Sequence, residues 1–221
     1  MDDWPTDGAR IVRLPPPCIE GSVPLEAALS GRRSVREYTD EPVSLAELSQ
    51  LLWAAQGVTH SGYGRTAPSA GALYPIELYV VASKVDGLAK GLYRYRVREH
   101  DLAEVTAEDV QRQLASAALG QESLERAAAV IVVAGVVDRV GQKYGRRALR
   151  YVHMEVGAVV ENVLLQATAL KLGAVFIGAF NDKQVRRVLG MVEEEDAFAI
   201  LPVGKSSRWN ADRGNQTGNV D

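Results

Sequence analysis

Residues Ala148–Leu172, ALRYVHMEVGAVVENVLLQATALKL, form the longest periodic segment of this 221-residue chain. Met154, Leu165 and Ala169 lie opposite a broader apolar face of the predicted helix. That face is made by Val152, Val156, Val159, Val160, Val163, Ala167 and Leu170. A helix that is apolar around nearly its whole circumference must be buried around nearly its whole circumference. We therefore expect a long central helix, ended by Gly173, that is also covered by a second subunit.

A narrow polar edge interrupts this helix at Glu155, Asn162 and Gln166. These side chains could face a ligand, or they could hydrogen-bond one another and a neighbouring loop. The second interpretation is favoured, because polar groups inside a buried helix need partners whether or not a ligand is present.

Shorter segments around this helix predict a sheet and further helices. Ser44 and Glu47 form a capping box before an apolar stripe that ends at Gly57. Thr106 is predicted to cap a helix that continues to Leu119. The predicted strands are Ile76–Ala82, Leu92–Val97, Leu102–Val105, Ala127–Val137, Ala174–Phe180 and Phe198–Val203, and two short helices are predicted at Leu25–Leu29 and Asp182–Leu189. The predicted fold class is α+β, with a mixed, mostly antiparallel sheet surrounded by helices and one long central helix.

Composition excludes several classes of protein. The net charge of −3 and pI of about 5.7 argue against a general nucleic-acid binder, which needs a basic face. The single cysteine, Cys18, excludes an internal disulfide framework and suits the reducing cytoplasm. No signal peptide or membrane-spanning segment is expected, and His60, His100 and His153 are too scattered to suggest a metal site.

The predicted organisation is one domain with two appendages. Residues 1–23 are rich in proline and should form an extended arm on the body or on a partner. Residues 24–209 should form the domain. Residues 210–221 are polar and rich in glycine, and are expected to be a flexible tail.

A run of small residues between two prolines, Ala67-Pro68-Ser69-Ala70-Gly71-Ala72-Leu73-Tyr74-Pro75, leads directly into the first long strand. We call this segment the small-residue loop. Small side chains let a backbone approach a flat ligand closely. The segment therefore indicates a place where a ring system can lie against the chain.

Two basic clusters flank the domain in sequence. The first, Arg32-Arg33-Ser34-Val35-Arg36, could be a solvated basic corner or an anion site, since arginine offers a planar fork of donors to phosphate and carbonyl oxygens. The second is Gly204-Lys205-Ser206-Ser207-Arg208, and a Gly-Ala break follows Phe176 and Ile177. A flavin site needs cations for the phosphate and ring edge, a close N–H donor for ring atom N5, and an open ring face.

The chain resembles the FMN-dependent nitroreductase superfamily, and within it the SagB-type dehydrogenases. The resemblance covers roughly residues 25–208 and rests on four stretches in the family's order: 32–38, 67–75, 173–180 and 201–208. It implies a nitroreductase-like fold in an intertwined homodimer. Two FMN sites would lie at the subunit interface.

The resemblance also implies roles for individual residues, by position in these motifs. Arg32 would meet the ring edge of FMN, and the small-residue loop would lie on the flavin of the partner subunit. The remaining contacts implied are Arg33, Ser34 and Arg36 with the ribityl phosphate, Pro68, Ser69, Ala70 and Gly71 on the ring, Ile177, Gly178 and Ala179 near N5, and Lys205 and Arg208 with the phosphate.

The subfamily signal is Lys143-Tyr144-Gly145-x-Arg147-x-x-Arg150-Tyr151, which leads into the long helix. In SagB-type enzymes, which oxidise azoline rings in modified peptides, the resemblance implies that this Lys-Tyr pair transfers protons. The alternative is that Lys143 is a surface residue and Tyr144 packs in the subunit interface. One departure from the family's pattern is Ala72, where classical nitroreductases commonly have asparagine.

The resulting expectation is an FMN-dependent oxidoreductase that moves hydride between flavin N5 and a small-molecule or modified-peptide substrate. Nucleic acid and membrane are not expected as partners. One alternative is a nitro or quinone reductase that uses NAD(P)H, and another is a non-catalytic flavin-binding scaffold subunit of a peptide-modifying complex. Rapid bleaching of the bound flavin by NAD(P)H would separate the first alternative from the main expectation.

Overall fold

The computed structural model describes residues 8–59 and 64–211. Residues 1–7 of the predicted arm, residues 212–221 of the predicted tail, and His60 lie outside the described residues. Within the described arm, residues 11–13 pair with a strand of the main sheet.

The described part of the chain forms an α+β fold, as predicted. Its strands are β1 (Ile11–Arg13), β2 (Val43–Ser44), β3 (Ile76–Ala82), β4 (Val85–Asp86), β5 (Gly91–Arg96), β6 (Asp101–Thr106), β7 (Ala129–Gly135), β8 (Leu172–Ala174) and β9 (Asp196–Lys205). Its helices are α1 (Leu25–Gly31), α2 (Leu45–Gln56), α3 (Gln111–Ala117), α4 (Glu122–Arg126), α5 (Val137–Tyr144), α6 (Ala148–Ala169), α7 (Asp182–Leu189) and α8 (Arg208–Ala211). Short 3₁₀ turns occupy Ala70–Ala72 and Gly145–Arg147.

Within the described residues, seven strands form one sheet in the order β1-β6-β5-β3-β7-β9-β8, and every neighbouring pair is antiparallel. A separate two-stranded ribbon pairs β2 with β4 in parallel. Strands β3 and β7 are buried along their whole lengths. They alternate between two apolar cores, so the sheet carries helices on both faces.

One face of the sheet is covered by α6 and α2, and the other by α3, α4 and α7. Helix α6 is 22 residues long and buries one face, which includes Val152, Val159 and Val163. Its opposite side is open in a single chain, since Met154 is 64% exposed. The predicted capping box of α2 is present, with Glu47 N–H donating to Ser44 Oγ at 3.2 Å and Ser44 N–H donating to Glu47 Oε2 at 2.9 Å.

The largest differences between the predicted boundaries and the structure occur at three places. Thr106 does not cap a helix, because it pairs with Leu92 at the end of β6, and the next helix begins only at Gln111. The predicted strand Ala174–Phe180 ends at Ala174, and beyond it Ile177 forms a single bridge to Ile200. Helix α6 ends at Ala169, because Lys171 takes a left-handed φ of 57° that turns the chain into β8.

No helix among the described residues combines the length and apolar character that crossing a bilayer requires.

Candidate active site

The small-residue loop is held in a strained conformation. Gly71, Ala72 and Tyr74 all have left-handed φ values, of 65°, 56° and 46°. Residues other than glycine adopt this region at a cost of roughly 1 kcal/mol or more, so the surroundings must hold them there. One such contact is internal, since the Tyr74 N–H donates to Ser69 Oγ at 2.8 Å. Strain of this kind is typical of functional loops.

Lys143 and Tyr144, at the C-terminal end of α5, lie against the apex of this loop. A Cβ atom built on Gly71 would be 2.8 Å from Tyr144 Oη and 2.9 Å from Lys143 Nζ. The ring of Tyr144 packs edge-on against Tyr151, with 5.0 Å between ring centroids. Two groups that can transfer a proton thus converge on the one position in the loop that has no side chain. We call Lys143 and Tyr144 the Lys–Tyr pair.

The first basic cluster runs along the end of β8 and β9. Val35 N–H donates to the Ala174 carbonyl at 2.9 Å, and Thr39 N–H donates to the Lys205 carbonyl at 2.8 Å. The ring of Tyr38 fills the space beside two glycines of these strands, where a Cβ on Gly204 would lie 2.8 Å from the ring. The fold therefore brings three of the four motif stretches, 32–38, 173–180 and 201–208, to one edge of the sheet.

The side chains of this cluster differ in their partners. Arg32 makes a loose ion pair with Glu161, at 3.6 Å between Nε and Oε1. Arg33 donates from Nη1 to the carbonyls of Ser30 and Arg32, at 2.9 and 2.7 Å. Ser34 and Arg36 are exposed. This edge can offer a hydroxyl and several guanidinium donors to an anionic group.

Beyond β8, the three residues predicted near N5 are not equivalent. Ile177 N–H donates to the Ile200 carbonyl at 2.9 Å, and Ile200 N–H donates back at 3.0 Å. The backbone donor of Ile177 is therefore occupied within the fold. Gly178 and Ala179 are exposed, and among the described residues their N–H groups have no backbone partner. A close backbone donor to a ligand would come from these two residues.

At the second basic cluster, the structure gives Lys205 a partner inside the protein. Its Nζ lies 2.5 Å from Glu47 Oε1, which joins the end of β9 to the first turn of α2. Burial raises the pKa of the Glu47 carboxyl, but hydrogen bonds from Lys205 and Ser44 outweigh burial and hold that pKa below its ordinary value. Arg208 begins α8, and its guanidinium carbon lies 5.4 Å from the Trp209 ring centroid.

The polar edge of α6 divides in two. Asn162 donates to the Thr66 carbonyl at 3.3 Å, and Gln166 accepts from Gln50 at 3.2 Å, so both hydrogen-bond to neighbouring segments. Glu155 differs, because it is only 4% exposed and its Oε1 atom has no hydrogen-bond partner among the described residues.

Burial raises the pKa of Glu155 to about 7, although Ser69, Arg65, Arg139 and Gln56 each act to lower it. A carboxyl group that titrates near neutral pH therefore lies beside Ser69 of the small-residue loop. The sequence placed Glu155 on the polar edge of a buried helix but held no signal that it lies beside Ser69, because that neighbour depends on how α6 packs against the loop.

A buried ion network, which sequence reasoning also missed, begins at the loop's last residues. Arg139 of α5 donates to the Tyr74 carbonyl and pairs with Glu77 at the start of β3. Glu77 pairs in turn with Arg94, and Arg94 pairs with Glu195. Their spacing along the chain is irregular, so no sequence pattern could have joined them. Among the described residues, no cluster of His, Cys, Asp and Glu side chains could hold a metal ion.

Comparison with known proteins finds similarity to nitroreductases over most of the chain. A family model described as the nitroreductase family matches residues 29–205. A nitroreductase homologue from Methanocaldococcus jannaschii is 44% identical over 183 residues, which are 83% of this chain and 91% of that protein.

Two solved structures of nitroreductase homologues agree with the fold. The first, from Ralstonia eutropha JMP134, is 32% identical with a TM-score of 0.78, and the match covers 89% of this chain and 90% of that one. The second, from Anabaena variabilis ATCC 29413, is 30% identical with a TM-score of 0.81. That match covers 92% of this chain and 43% of the other, so this chain spans less than half of the Anabaena protein.

Proposed function

Because the chain belongs to the nitroreductase family and is an oxidoreductase, we propose that it is an FMN-dependent dehydrogenase of the SagB-like kind. FMN, when bound, would supply a two-electron acceptor for hydride at N5. The substrate would be a small molecule or a peptide that carries an azoline-type ring. The remaining task, removal of a proton from that substrate, would fall to residues of this chain.

The observation that carries this proposal is the convergence of the Lys–Tyr pair on Gly71. Oxidation of an azoline ring removes hydride from one ring carbon and a proton from the neighbouring ring carbon, and a base must accept that proton. The ammonium or phenol group of the pair, once deprotonated, can take that proton at Nζ or Oη. The alternative is that Lys143 and Tyr144 have only a structural role. That role does not require both Nζ and Oη to point at Gly71, a position without a side chain.

The residues present fit FMN. Arg32, Arg33, Ser34 and Arg36 would hold the ribityl phosphate and the ring edge, because they present cationic donors and a hydroxyl along one sheet edge. The N–H groups of Gly178 and Ala179, which have no backbone partner among the described residues, would serve as donors to N5. Further donors would come from Arg208, and from Lys205 if it shares its ammonium between Glu47 and the phosphate.

We further propose that the active form is a homodimer. Apolar side chains remain exposed on α6 and near the basic edge, including Met154 at 64%, Leu149 at 48% and Phe176 at 48%. A second copy that covers α6 would remove them from water. If the small-residue loop covers the partner's flavin, the Lys–Tyr pair, which contacts that loop in its own chain, would act on the partner's site.

The direct test is turnover of an azoline-containing peptide by FMN-loaded protein, with the variants Lys143→Ala and Tyr144→Phe. We expect each to retain FMN and to lower the rate of azole formation by roughly 10²- to 10⁴-fold, the usual contribution of general acid–base catalysis. Lys183→Ala, an exposed lysine on α7, is the matched control and should leave the rate unchanged. Full activity in both variants would exclude the pair from the chemistry.

A second candidate is an NAD(P)H-dependent nitro or quinone reductase, which is favoured by the nitroreductase name of the 44% identical relative. Anaerobic mixing with NADH or NADPH decides between the two. Bleaching of the flavin absorbance within seconds, followed by reoxidation on adding a quinone, would favour the reductase. Slow bleaching together with azoline oxidation would favour the dehydrogenase.

A further inference from the structure

The carbonyl of Tyr74, at the exit of the small-residue loop, is tied to the helix that carries the Lys–Tyr pair. Arg139 Nη1 donates to that carbonyl at 2.5 Å, while Nη2 of the same guanidinium lies 2.7 Å from Glu77 Oε1. The Tyr74 N–H already donates to Ser69 Oγ. Both peptide groups of a residue with left-handed backbone are therefore held, one from within the loop and one from α5.

The carboxylate that anchors Arg139 is buried and belongs to a network of ion pairs. Glu77 is 4% exposed, and its second oxygen lies 3.1 Å from Arg94 Nη2. Arg94 also pairs with Glu195 at 2.7 Å, and Glu195 accepts from the Tyr79 hydroxyl. A buried carboxylate that loses one of its cations is costly, so Arg139 cannot leave Glu77 without a penalty. The planar guanidinium fork suits this double contact better than a single ammonium group does.

Arg139 and Lys143 are four residues apart on α5, so they lie on the same face of that helix. Fixing Arg139 against Tyr74 and Glu77 therefore fixes the face that presents Lys143 to Gly71. We propose that Arg139 is a positioning residue, whose guanidinium holds the Lys–Tyr pair against Gly71 at the apex of the small-residue loop. This inference rests on the proposed function for its catalytic consequence, but its structural content can be tested without substrate.

The structural test is hydrogen–deuterium exchange of the apoprotein, followed by mass spectrometry of peptides that cover residues 69–75. In Arg139→Met, we expect these amides to exchange at least about tenfold faster, while β3 and β7 keep their protection. Arg139→Lys should give an intermediate rate. Arg186→Met, which removes the surface ion pair with Asp196, is the matched control and should not change exchange in the loop. Unchanged exchange in Arg139→Met, or a rise spread over the whole sheet, would overturn the proposal.

The catalytic test is a double-mutant cycle in the FMN-loaded protein. Displacing a catalytic group by about 1 Å commonly lowers a rate by about 10²-fold, so Arg139→Met should lower the turnover number about ten- to hundredfold with little change in KM. In a Lys143→Ala/Tyr144→Phe background, the same substitution should cost less than about threefold, because nothing remains to be positioned.

Equal losses in the two backgrounds would show that Arg139 acts through stability alone, and would overturn the proposal. A wild-type protein without FMN-dependent turnover would instead refute the proposed function. In that case the exchange experiment on the apoprotein would still decide whether Arg139 orders the loop.

Discussion

Replacing Glu155 by glutamine tests how α6 packs beneath the small-residue loop. In the folded protein, burial raises the pKa of Glu155 from 4.5 to about 7. In the unfolded chain the carboxyl should titrate near its ordinary value. Between these two values the folded state holds a proton that the unfolded state releases, so the free energy of unfolding must fall as the pH rises.

The magnitude follows from the size of the shift. Each pKa unit corresponds to about 1.4 kcal/mol, so the shift corresponds to a loss of about 3 kcal/mol that is complete above pH 7. Glutamine keeps the shape of the protonated acid and cannot ionise. We therefore expect Glu155→Gln to have nearly wild-type stability at pH 4.5 and to be about 2–3 kcal/mol more stable than the wild type at pH 8.

The assay is urea denaturation of both proteins at intervals between pH 4.5 and 8, with the difference in unfolding free energy plotted against pH. Glu161→Gln is the control, because Glu161 lies on the same helix but is about half exposed. Its pH profile should parallel that of the wild type. A Glu155→Gln difference that stays constant across the range would refute the reasoning, since a group that does not change protonation on unfolding cannot make stability depend on pH.

Two further predictions concern the candidate site. Gly71→Ala should abolish most turnover and cost about 1 kcal/mol of stability, because its Cβ would collide with the Lys–Tyr pair and its φ is left-handed. Gly190→Ala is the control, because Gly190 has a similar left-handed φ of 58° but no atom within 4 Å of the added Cβ, so it should lose stability and keep its turnover; equal activity in the two variants would contradict the geometry. Arg32→Ala should weaken FMN binding by about 1.5–3 kcal/mol in a fluorescence titration, the scale of a hydrogen bond to a charged group. Exposed Arg112→Ala should bind as the wild type does, and an unchanged affinity of Arg32→Ala would remove Arg32 from the site.

Local patterns predicted those elements whose causes are themselves local. The capping box and apolar spacing of α2 lie within one helix, and β3 was predicted with its observed ends, Ile76 and Ala82. The capping signal at Thr106 failed because pairing with Leu92 across β5 and β6 competes for the same backbone. A local sequence pattern does not reveal such competition, since the partner strand lies elsewhere in the sequence.

In the candidate site too, the sequence indicated the segments, while their contacts depend on the tertiary structure. Motif order pointed to the small-residue loop and to Lys143 as separate functional segments, and the fold brings the lysine to Gly71. For Lys205 the sequence indicated a cation, but its ion pair with Glu47 depends on the packing of β9 against α2. The role of Arg139 was not foreseen, because it depends on three elements meeting at Tyr74.

By itself, the sequence determined the kinds of chemical group available and the segments that become helix or strand, because side-chain type and short-range periodicity act within a few residues. Only the tertiary structure decided which of those groups are paired and which carry charge. Glu155 and Lys205 are both ionisable by type, yet Glu155 is buried with its own Oε1 atom unpartnered among the described residues, and Lys205 lies against Glu47. Desolvation and ion pairing depend on distances in space, and the folded arrangement of distant segments sets those distances.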